Sequence, residues 1–160
     1  MQRSPLLTKL REYCPHDQHE RAMYETLLRF VEVESNCFDR GLQIGHVTGS
    51  AWIVDNTLSK ALLTHHFKLD RWLQLGGHAD GDPDILRVAL REAREESGIE
   101  SIRSLSEAIF DVDVHSIPAR SGEPRHLHYD VRFLLEADAD APLIVSSESK
   151  DLAWIPLEDI

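Results

Sequence analysis

At 160 residues, 42% of them apolar, the chain is sized and composed for one globular domain with a substantial core. Acidic residues outnumber basic ones 28 to 17, a formal charge of −11 that argues against unassisted binding of long nucleic acid. Such a protein can still take a small phosphorylated substrate if metal ions bridge the like charges.

The opening stretch MQRSPLLTKLREY lacks the apolar core of a signal peptide, and no run reaches membrane-spanning length, so the expected location is the cytoplasm. Cys14 and Cys37 make neither a disulfide framework nor a four-ligand zinc site, and read as reduced thiols. His16 to Phe38 reads as a helix, with Met23, Leu27, Phe30 and Val31 at helical spacing. Residues 1–40 are therefore expected to be an N-terminal helical extension packed on the body of a single 1–160 domain. A turn covers Asp39 to Gly45. His46 to Val54 and Lys60 to His65 read as strands joined by Asp55-Asn56-Thr57, and Trp72 to Leu75 as a short strand entering a Gly76-Gly77 loop. A helix from Pro83 to Ser97 follows, with Asp82 as N-cap and Gly98 just past the last turn. Ile109 to His115 and Leu127 to Leu135 read as strands around a loop holding Pro118, Gly122 and Pro124. Ala137 to Pro142 is a turn and Leu152 to Ile155 a last short strand. Strands flanking a central helix, with helical elements beside them, suggest an α/β sandwich.

The chemistry concentrates between Gly77 and Ile99. At about 100° per residue, Ile85, Leu86, Ala89, Leu90 and Ala93 form one apolar arc. Glu92 and Glu96 border that arc, where a carboxylate is costly unless something positive compensates it. Glu92, Glu95 and Glu96 can converge on one point, and oxygen-only ligands favour a hard cation such as Mg²⁺ or Mn²⁺. Arg91 and Glu95 also make an i,i+4 pair, the arrangement of an ordinary solvated helix end.

The segment resembles the signature of the Nudix hydrolases, G-x5-E-x7-R-E-U-x-E-E-x-G-U, where U is a bulky aliphatic residue. Gly77, Arg91, Glu92, Glu95, Glu96, Gly98 and Ile99 match in register, with Ala93 as a small apolar stand-in. Pro83 stands where the family has its first glutamate, a residue that braces the loop-helix-loop; Asp82 and Asp84 are substitutes out of register. The resemblance implies a Nudix fold, a mixed β-sheet between α-helices, with 77–99 as the loop-helix-loop. It also implies Mg²⁺ (or Mn²⁺) held by Glu92, Glu95, Glu96 and the Gly77 carbonyl, with Arg91 orienting the glutamates. Family members often form homodimers, and often continue past a W-x-P-L element, here Trp154-Ile155-Pro156-Leu157, into another helix.

Outside the signature, His126, His128, Asp130 and Arg132 alternate with Leu127, Tyr129, Val131 and Phe133, which puts the polar four on one face of a strand. Asp111, Asp113 and His115 alternate likewise. Such strips either face solvent or line a cleft, where His128 and Asp130 would meet substrate or accept a proton. A transition-metal site from His126, His128 and one of the acids is allowed by ligand type but not demanded by spacing. His46, Thr48 and Ser50 share a strand face and are candidates for the substrate pocket; Lys68 and Arg71, before the signature, are candidates for neutralising phosphate. Trp52 and Trp72 read as core or wall residues; His65, His66 and His78 are unassigned, a loop imidazole being usually just solvated.

The expected activity is metal-dependent hydrolysis of a phosphoanhydride bond in a nucleoside diphosphate linked to another group. Glu95 is the first candidate for general base, with Glu96 and Arg91 as its catalytic partners. The alternative, motivated by Pro83, is a catalytically weak binding or regulatory module on the same fold.

Overall fold

The computed structural model describes residues 2–160. Two helices come first, not one: α1 (Ser4–Glu12) and α2 (Gln18–Val33). Cys14-Pro15 separates them, because proline disfavours helical backbone in the residue before it. Asp17 restarts the helix, its side chain accepting the Glu20 amide at 2.8 Å. The buried residues Leu6 and Leu10 of α1 sit four apart, and with Leu27, Phe30 and Val31 of α2 they join the main core.

The strands are β1 (Gly45–Asp55), β2 (Lys60–His66), β3 (Arg71–Leu73), β4 (Leu75–His78), β5 (Arg103–Ser104), β6 (Asp111–Ile117), β7 (His126–Ala137) and β8 (Ser149–Pro156). They form one mixed eight-stranded sheet. Its centre is the parallel pair β1 and β7, in register from Gly45 opposite Leu127 to Asp55 opposite Ala137. Along its other edge β1 divides, pairing antiparallel with β4 over Thr48 to Ala51 and with β2 at Ile53 and Val54. On the far side β7 pairs with β6 and β5; β8 and β3 complete β2.

Helix α3 (Ile85–Ser97) lies on β1 and β4. Gly49 permits this: a β-carbon there would meet the Ile85 carbonyl and Val88 Cγ1, both at 3.0 Å. Ile85, Ala89 and Ala93 of the expected arc are buried, joined by Val88, while Leu86 and Leu90 of that arc are only half-buried. Tyr129 of β7 stacks on Phe30 with ring centroids 3.7 Å apart, which ties α2 to the sheet.

Three further expectations need correction. Gly76 and Gly77 belong to strand β4 instead of a loop: they pair with Ser50 and Gly49, and a β-carbon on either would collide with Ser50 or Glu92. Glycine serves close approach here, not a turn. Helix α3 begins two residues later than its caps suggest. Asp82 accepts the Asp84 amide at 2.9 Å and pairs with Arg87, which leaves Asp84 to cap the helix through the Arg87 amide at 3.1 Å. Trp72 is 41% exposed and stacks on His65, so it is neither core nor wall. Among the described residues no helix is long and apolar enough to cross a membrane.

Candidate active site

Strand β4 and helix α3 bring Gly77 so close to Glu92 that a β-carbon at 77 would displace the Glu92 carboxyl. The Glu92 side chain is 17% exposed and receives Arg91 Nη2 at 2.8 Å. Arg91 is itself anchored, donating from Nη2 to the His78 carbonyl at 2.7 Å. Its partner is thus the adjacent Glu92, not Glu95 as helical spacing suggests, because the β4 backbone draws the guanidinium toward the sheet. Glu95 is exposed at the outer edge of the helix.

Glu96 is the anomaly. Its Oε2 is buried without a hydrogen-bond partner. Burial, reinforced by the neighbouring Glu92 charge, pushes its carboxyl up to about 8 against the pull of the Gly76 amide. Burial likewise raises Glu92, with Arg91 opposing. Two desolvated acids side by side, one with an open oxygen, fit a hard divalent cation.

The loop at the Pro83 position is braced by aspartates. Asp82 takes Arg87 Nε at 2.8 Å and Nη2 at 2.6 Å, and Asp80 takes Arg40 Nε at 2.5 Å and Nη2 at 2.8 Å. Asp80 and Gly81 adopt positive φ, +52° and +86°, as a tight turn between strand and helix requires.

A second assembly lies on the opposite face of β1 and β7 from α3. His46, Thr48 and Ser50 stand opposite His128, Asp130 and Arg132. Thr48 Oγ1 and Ser50 Oγ donate to Asp130 Oδ1 at 2.8 and 2.7 Å, and Arg132 Nε donates to Oδ2 at 3.0 Å. Both Asp130 oxygens are therefore occupied, and the residue is 2% exposed. Arg132 also holds Asp111 at 2.7 Å and Asp113 at 3.2 Å. The polar strip faces inward. His46, His78, His126 and His128 gather beside it, with ring centroids from 4.9 to 5.2 Å between neighbours. Burial first, then the other histidines, lowers His46 to about 4 and His128 to about 2. Lys68 and Arg71 are exposed around the turn between β2 and β3. His78 is the residue that sequence reasoning left in a loop. Its signal was there: strand register carried on through Gly76 and Gly77 places it beside Thr48.

A family model described as NUDIX domain matches residues 46–160. The chain belongs to the Nudix family. Nudix membership makes it a pyrophosphohydrolase, and its mixed sheet with three helices is the Nudix fold. No curated protein matches it significantly. Among solved structures it is similar to a C. elegans Ap4A hydrolase in a binary complex, at 19% identity and TM-score 0.56, over 71% of this chain and 81% of that one. It is also similar to the E. coli dihydroneopterin triphosphate pyrophosphohydrolase, at 15% identity and TM-score 0.54, over 71% and 82%. At these identities the likeness is one of fold.

Proposed function

We propose that this Nudix protein cleaves the phosphoanhydride bond of a small substrate, a nucleoside diphosphate linked to another group, with Mg²⁺ or Mn²⁺ held by Glu92, Glu95, Glu96 and the Gly77 carbonyl. One observation carries the reading: the buried, unpartnered oxygen of Glu96 beside the desolvated Glu92. Glu92, Glu95, Glu96 and the Gly77 carbonyl would hold a divalent cation, which would offset the acids and supply Lewis-acid activation of water and phosphate. Arg91 locks Glu92 and ties α3 to the β4 backbone, which fixes the ligand geometry. Glu95 is exposed and free of a side-chain hydrogen bond among the described residues, which suits the role of proton acceptor for the attacking water that we assign to it. Lys68 and Arg71 are exposed cations that can meet a phosphate as it enters. Ser50 and Asp130 are bonded to each other, which would hold this part of the sheet rigid rather than leave either free to meet substrate.

The test is a hydrolysis screen with and without metal over nucleotide sugars, dinucleoside polyphosphates, coenzymes and nucleoside triphosphates. The names of the two structural neighbours add Ap4A and dihydroneopterin triphosphate. Product that forms with Mg²⁺ or Mn²⁺ and disappears with chelator is the expected result. Tight binding without product under all metals would contradict it and make the chain a binding module.

A further inference from the structure

We propose that His46, His78 and His128 form a second metal site, separate from the carboxylates, that takes a borderline transition-metal dication with Zn²⁺ first among them. Each residue offers one ring nitrogen, and the three nitrogens lie within 4.8 Å of one another. Three points that close lie at most about 2.8 Å from a common centre, so shifts under roughly 1 Å bring all three to a Zn–N bond of about 2.0–2.1 Å.

The ring nitrogens behave as a ligand set and not as satisfied core histidines. His46 is 3% exposed, and neither of its ring nitrogens makes a well-formed hydrogen bond, although the Leu42 backbone acts on the ring; Nε2 of His128 is buried and unpartnered too. Buried polar atoms normally find partners, and orphans ask for an explanation. The carboxylates of the strip do not supply one. Asp130 is committed to Thr48, Ser50 and Arg132, and Asp113 to His115 and Arg132. His126 stands beside the triad, its Nδ1 paired with the Pro124 carbonyl at 2.9 Å.

The scaffold is rigid. His46, His78 and His128 come from three neighbouring strands, β1, β4 and β7, with His46 opposite His128 and His78 opposite Thr48. Ligands on strands hold their positions better than ligands on loops. Three imidazoles that leave a fourth position to water match the pattern of an open zinc site. Nitrogen ligands select Zn²⁺ over Mg²⁺, whereas the oxygen cluster on the other face of β4 selects the reverse. The two sites are therefore separable by metal as well as by mutation.

The experiment titrates Zn²⁺ into chelator-treated full-length protein held in a large excess of Mg²⁺, following binding by calorimetry and the histidine rings by ¹⁵N NMR. One equivalent of Zn²⁺ should bind despite the Mg²⁺ and shift ring nitrogens of His46, His78 and His128. Glu96→Gln should keep this binding. His78→Ala, at a half-buried position and with circular dichroism as its fold control, should weaken it at least about tenfold, since even loss of an outer-shell partner typically costs that much. His128→Ala should do the same, with the same control. The proposal is overturned if the parent binds no Zn²⁺ under excess Mg²⁺. It is equally overturned if binding survives His78→Ala but vanishes in Glu96→Gln. Either result leaves the hydrolase reading untouched, because that reading rests on the carboxylates alone.

Discussion

Glu96 couples the chemistry to stability. Its carboxyl is raised to about 8 by burial, so the folded protein holds that proton more tightly than the unfolded chain does. Without metal, the stability tied to this group is complete below its ordinary value of 4.5 and declines as pH climbs through about 8. Urea denaturation of metal-free protein should show that decline, and Glu96→Gln should flatten it; an identical slope in the two proteins would mean the carboxylate is not desolvated. For catalysis, Glu95→Gln and Glu96→Gln should each cost about 10²-fold or more in kcat with circular dichroism unchanged. Parental rates in both variants would remove the catalytic assignment. The spacing of Gly77, Glu92 and Glu96 made their proximity legible in the sequence. The Arg91 contacts were not legible, because the His78 carbonyl that captures the guanidinium arrives from another strand.

Helix α3 and strand β4 work as one unit, joined where two glycines let helix and sheet touch. Gly77→Ala should fold yet displace the Glu92 carboxylate, so that Mg²⁺ raises the melting temperature less than it does in the parent. An equal metal-induced shift would show that the close approach is unimportant. Asp84→Ala removes the side-chain cap of α3 and should cost about 1 kcal/mol in denaturant unfolding, whereas Asp82→Ala instead frees Arg87. Local signals predicted the end of this helix well, since Gly98 adopts a positive φ of +75° and its amide bonds to the Arg94 carbonyl. The start was harder to read: two aspartates two residues apart are both good caps, and side-chain pairing of Asp82 with Arg87 decides between them. The same limit applies to the histidines. Alternation revealed the strips on β1 and β7, but only sheet pairing brings His78 between them.

The molecule has one core, and its N-terminal helices are part of it. Leu6, Leu10, Leu27, Phe30 and Val31 are buried with Val47, Val131 and Phe133, although the family match begins only at residue 46. Burying five such side chains is worth about 10 kcal/mol, which is comparable to the whole stability of a domain. A fragment of residues 46–160 should therefore fail to unfold cooperatively on heating; a sharp transition near the parental temperature would show the helices to be dispensable. Sequence periodicity found α2 but passed over α1, whose nine residues carry only two fully buried positions. The Gly77 backbone of one strand and three acids of one helix should share a cation. Anomalous diffraction from a crystal soaked in Mn²⁺ tests it most directly. A strong peak bounded by Glu92, Glu95, Glu96 and the Gly77 carbonyl is the predicted result, and carboxylates splayed apart with no peak between them would contradict it.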